Sequence, residues 1–100
     1  MSVTSGIEDL VAAKRSEILR LAHDHGATRV RVFGSVARGE SGPESDLDLL
    51  VDMEPGRGLF AIVAIKQDIE DLLGHEVHVV TEAAISPYIR DEILHEAKPF

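Results

Sequence analysis

The chain has 100 residues, 44% of them apolar, with 18 acidic against 10 basic side chains and no cysteine. That length fits one small domain spanning residues 1–100, and it excludes a complete multidomain polymerase. The missing cysteines exclude disulfide frameworks and Cys-type zinc sites, and the net charge of −8 argues against direct nucleic-acid binding.

The first eleven residues are polar and acidic, unlike a signal peptide. The longest apolar run, Leu59 to Ile65, is far short of the ~20 residues that cross a bilayer. A cytoplasmic protein without membrane contact is expected. Ile7, Leu10, Val11, Ile18, Leu21 and Ala22 keep helical spacing, with Ser5 and Glu8 as a capping box and Gly26 as a stop. Arg29 to Phe33 alternates as a strand, with Val30 and Val32 on one side. Gly39 to Ser45 reads as loop, with Gly42-Pro43 at its centre.

Asp46 to Met53 is a second strand with Leu47, Leu49, Val51 and Met53 on one face. Asp46, Asp48 and Asp52 share the other face with Leu50. A helix follows from about Leu59 to Leu73, closed by Gly74, and its apolar positions, Phe60 and Val63 included, are expected to pack on the sheet. Val77 to Thr81 is a third strand, and Ser86-Pro87 opens a last helix through Ala97. The fold class is α/β (α+β), a small mixed sheet covered by helices. The strands 46–53 and 77–81 are joined by a helix long enough for a parallel crossover.

The chemistry concentrates in Gly34-Ser35-Val36-Ala37-Arg38-Gly39 and in Asp46-Leu47-Asp48. A glycine after a strand lets backbone approach a phosphate, Ser35 adds a hydroxyl, and Arg38 adds a guanidinium suited to phosphate oxygens. Three arginines against one glutamate make residues 26–43 a local island of +2, which leaves −10 for the remainder. The two aspartates alternate along a strand, so both carboxylates face one side about 7 Å apart. Paired oxygen ligands of this kind suit a magnesium ion bridging to substrate phosphates. Cradle and acidic pair together make a nucleoside triphosphate site.

Phe33-Gly34-Ser35-x-Ala37-Arg38-Gly39 with Ser45-Asp46-Leu47-Asp48-Leu49-Leu50-Val51 resembles the signature of the polymerase-β-like nucleotidyltransferase superfamily. The short length resembles its minimal nucleotidyltransferase (MNT) branch, often paired with HEPN proteins. The resemblance implies a nucleotidyltransferase-like fold and transfer of AMP from ATP to a tyrosine of a HEPN ribonuclease toxin. It implies that Gly34, Ser35 and Arg38 hold the triphosphate, that Asp46 and Asp48 bind Mg2+, and that pyrophosphate leaves from in-line attack on the α-phosphate.

One position departs from that pattern. Where the superfamily places a third carboxylate on the next strand, this sequence has His78 within Val77-His78-Val79-Val80. Imidazole is a poor magnesium ligand, so His78 stands as a candidate base for the attacking hydroxyl or as an inert replacement. Glu76 shares its strand parity, but lying about 7 Å along it would need a distortion or bulge to reach the metal. The departure motivates a second expectation, an antitoxin that neutralises its toxin by binding alone. His23 and His25 are read as helix-terminal cations, His75 and His95 as surface residues, and Tyr88 as a partly buried packing residue.

Overall fold

The first apolar stripe folds as two helices where one was expected, α1 (Ile7–Ala13) and α2 (Arg15–Asp24). In this computed structural model residues 6–42 and 45–100 are described; Ser5 of the expected capping box and Pro43 of the expected loop lie outside them. The break falls at Lys14 (φ −106°, ψ 13°), yet the hydrogen-bond ladder runs through it. Lys14 N–H donates to Leu10 O at 3.0 Å, and Ile18 N–H to Lys14 O at 2.9 Å. The bend keeps both buried pairs, Ile7 with Val11 and Ile18 with Ala22, on one core.

Strand β1 (Ala27–Phe33) runs into a short helix α3 (Gly34–Arg38), and β2 (Leu47–Met53) follows the loop. Helix α4 (Leu59–Leu73) ends on left-handed Gly74, as its sequence signals, and leads to β3 (Val77–Val80). The expected last helix starts late. Ser86 to Ile89 form a turn in which Ser86 O accepts from Ile89 N–H, and α5 covers only Arg90–Glu96. A two-residue strand β4 (Lys98–Pro99), for which the sequence carries no signal, closes the edge.

The sheet order is β3-β2-β1-β4, with β1 antiparallel to both β2 and β4 and β2 parallel to β3. The mixed sheet and its helix-linked parallel pair agree with expectation. Alternation sorts the side chains: Val30, Val32, Leu47, Leu49, Val51 and Val77 join Ile65 and Ile69 of α4 in the buried cluster. On the opposite face Leu50 is fully buried outside that cluster, and β2 packs there against a 3₁₀ turn at Glu82–Ala84. Arg31, itself buried, donates to Glu82 Oε2 at 3.2 Å and holds that turn down. Two expectations of burial fail. Phe60 is 91% exposed and Val63 is exposed too, so the buried residues of α4 begin at Ile65; Tyr88 is 93% exposed rather than packed.

Candidate active site

The site forms where β1 ends and where β2 and β3 begin. The parallel register pairs Leu47 with Val77 and Asp48 with His78. Because Leu47 and Val77 point into the core, Asp48 and His78 point to the opposite face, and Asp46 and Glu76 precede them with the same parity. His78 Nε2 meets Asp46 Oδ2 at 3.0 Å and Glu76 Oε2 at 3.9 Å. One donor atom from each of Asp46, Glu76 and His78 falls within 4.8 Å of the others. Glu76 thus enters the group from a regular ladder, with Leu47 N–H donating to Glu76 O at 3.2 Å. No bulge is needed to bring it beside Asp46, because the parallel register that pairs Leu47 with Val77 sets Asp46 directly across from Glu76.

Asp46 and Asp48 share one face of β2 and meet different neighbours. Asp46 turns toward β3, while Asp48 turns toward Gly34 at the end of β1. Gly34 has φ +79°, and a Cβ built on it would overlap the Asp48 carboxylate. Two demands therefore fall on one residue, a left-handed backbone and an absent side chain, and only glycine meets both. Asp48 is half-buried, and desolvation pushes its carboxyl above the ordinary range. His78 and Arg38 oppose that rise, and the negative charges of Asp46 and Glu96 add to it. A carboxylate kept under these conditions has a chemical reason to meet a cation.

Across from Asp48 lies the expected phosphate cradle. Ser35 is half-buried in the first turn of α3, and Gly39 closes that helix in the left-handed region. Arg38, one turn beyond Gly34, is exposed but engaged. Its Nε donates to Glu40 Oε1 at 2.9 Å and its Nη1 to Glu96 Oε2. Glu96 also accepts from Gly34 N–H at 3.2 Å, so one carboxylate of α5 holds both ends of the cradle. Lys98 adds a third tie, Nζ donating to Ala37 O at 2.8 Å.

Glu96 and Lys98 are site-bracing residues that sequence reasoning did not single out. A signal for the first exists: a carboxylate in the last turn of a helix opposes the helix dipole and calls for a partner elsewhere. The other histidines stay apart from this group. His23 Nδ1 lies 2.7 Å from Ala27 O, and His25 Nε2 lies 2.7 Å from Asp68 Oδ2 on α4.

The donor set fits a divalent metal: the carboxylates of Asp46 and Glu76 converge with the His78 imidazole, and Asp48 stands on the same face of β2. Among the described residues no helix is long and apolar enough to cross a membrane.

Residues 15–99 match the family described as the nucleotidyltransferase domain. A Methanocaldococcus jannaschii protein named as a candidate protein adenylyltransferase is 40% identical over 83 residues, 83% of this chain and 89% of its own. A solved structure described as a candidate minimal nucleotidyltransferase superposes with a TM-score of 0.84 at 44% identity, covering 99% of this chain and 100% of that one. The fold also matches a chain of a toxin–antitoxin crystal structure with AMP-PNP, at a TM-score of 0.72 and 21% identity over 84% of this chain and 69% of that one. On the family match over residues 15–99 and the relative shared across most of both chains, this protein belongs to the nucleotidyltransferase-domain family, as an enzyme of its minimal, protein-adenylyltransferase-like kind.

Proposed function

We propose that the chain transfers AMP from ATP to a protein, the tyrosine hydroxyl of a HEPN-type toxin, and thereby acts as its antitoxin. The observation that carries this reading is the packing of the Asp48 carboxylate against Gly34, which joins the acidic pair to the cradle. The adenylyltransferase name of the M. jannaschii relative supports the reaction. The AMP-PNP-containing toxin–antitoxin neighbour supports the nucleotide and the kind of partner.

In this mechanism the turn at Gly34, the Ser35 hydroxyl and the Arg38 guanidinium hold the triphosphate, the Gly34 N–H exchanging Glu96 for phosphate oxygen as the nucleotide enters. Arg38 exchanges a carboxylate partner, Glu40 or Glu96, for phosphate oxygen, which its two-sided ion pairing on an exposed surface permits. Asp46 and Asp48 are the residues that would hold Mg2+, which supplies charge neutralisation at the phosphates. The acceptor oxygen bonds to the α-phosphorus, the bond to the bridging oxygen breaks and pyrophosphate leaves, while the hydroxyl proton passes to solvent. His78 belongs to the site through its contact with Asp46.

Incubation with α-labelled ATP, Mg2+ and the protein encoded beside it tests the reading. Label is expected on a tyrosine of the partner, and Asp46→Ala or Asp48→Ala should remove it by at least about a hundredfold. Tight association with no label in the unmodified pair would overturn transfer. It would favour neutralisation by binding alone, a reading motivated by His78 and by the full engagement of Arg38.

A further inference from the structure

We propose that Asp46, Glu76 and His78 form a site of two oxygens and one nitrogen that takes a first-row transition ion, such as Mn2+, in preference to Mg2+. The inference deepens the metal reading above, since it shares Asp46 with the pair that faces the triphosphate. It names a different donor set, on the β3 side.

The geometry supports ligation. Ligands at about 2.0–2.2 Å around one ion stand roughly 3–4.4 Å from one another. His78 Nε2 lies 3.0 Å from Asp46 Oδ2 and 3.9 Å from Glu76 Oε2, and all three donor atoms fall within 4.8 Å. All three side chains are substantially exposed, so small rotations can bring them onto one centre. In the ion-bound site His78 Nε2 would exchange its hydrogen bond to Asp46 for the metal that both then share.

The nitrogen decides which metal. Mg2+ takes oxygen donors and gives up its waters reluctantly, so an imidazole is a poor partner for it. First-row transition ions accept imidazole and carboxylate together, with affinity rising along the series from Mn2+. The substitution that weakens a magnesium site therefore builds a transition-metal site, provided a second carboxylate is present. Glu76 is that carboxylate. Asp48 would remain for the Mg2+ that accompanies ATP, with Asp46 shared between the two ions.

The test uses the full nucleotide-free chain and Mn2+ as probe, with no need for transfer activity. Pulsed electron paramagnetic resonance of the Mn2+-loaded protein is expected to show nitrogen coupling from one imidazole, lost in His78→Ala. Mn2+ should survive competition by an excess of Mg2+ of at least about tenfold. His78→Asp should keep divalent-ion binding while erasing that preference, and Glu76→Gln should weaken Mn2+ binding. Bound Mn2+ without nitrogen coupling, nitrogen coupling that persists in His78→Ala, equal competition by Mg2+, or no Mn2+ binding would each overturn the proposal. Transfer lost in Asp46→Ala and Asp48→Ala would still stand as separate support for the reaction.

Discussion

Asp46 and Asp48 leave the same strand two residues apart, yet they enter different surroundings. Asp48 turns into the half-buried angle between β1, α3 and α5, where the chain supplies its own partners: Arg38 is met by Glu40 and Glu96, Gly34 N–H by Glu96, and Ala37 O by Lys98. Asp46 turns to the outer edge, where a second carboxylate and an imidazole converge on it. The inner half is thus braced by the protein's C-terminal segment and the outer half is presented to solvent. Nucleotide recognition gains from a rigid cradle whose donors are already aimed, whereas metal ligands gain from room to adjust around an ion.

The largest blow to the braced half is Gly34→Ala. A left-handed backbone at an L-residue costs about 1–2 kcal/mol, and the added methyl overlaps the Asp48 carboxylate as well. Thermal melting should show a lower Tm, and calorimetry should show ATP affinity lost while Mn2+ binding at the β3 edge persists. An unchanged melting curve with full ATP binding would break the distinction between the halves.

Glu96→Ala comes next. It removes the acceptor of Gly34 N–H and one partner of Arg38 together, so Tm should fall by a few degrees and ATP should bind several-fold more weakly. Glu96→Gln, which keeps an acceptor for Gly34 but loses the charge, should fall between. Tighter ATP binding by Glu96→Ala would instead make Glu96 a competitor of phosphate and reverse its role as a brace.

Asp48→Asn is the smallest effect and the one opposite in sign. Burial raises the Asp48 carboxyl in the folded chain, so between the ordinary carboxylate range of about 4 and its raised value the folded state holds more protons than the unfolded one. Stability contributed by this group is therefore lost as pH rises through that window, and the penalty persists above it. Urea titrations from acidic to neutral pH should find the variant more stable than the parent at neutral pH and level with it at the acid end. Equal stability at neutral pH would show that the surroundings of Asp48 are not strained by its charge.

The strands and α4 were legible because their signals are local. Alternating Val30 and Val32, the run Leu47 to Met53, and a helical stripe closed by Gly74 each carry their own punctuation. The misses share a different cause. Lys98 and Pro99 make a strand only because β1 offers an edge, and a proline is tolerated there. The late start of α5 follows from a turn around Ser86, and the exposure of Phe60 from where α4 first touches the sheet. Neither is written in hydrophobic spacing.

The same division runs through the site. The residue types and their spacing determined that a glycine-serine turn with an arginine would face an Asp-x-Asp strand, because strand parity and the conformational freedom of glycine are properties of the chain itself. Only the tertiary structure decided that Asp48 lies against Gly34, that Glu76 comes beside Asp46 and His78 without a bulge, and that Glu96 reaches across to hold Gly34 and Arg38. Those contacts depend on register between strands and on the docking of α5 beside α3, and long-range register is set by packing rather than by neighbours along the chain.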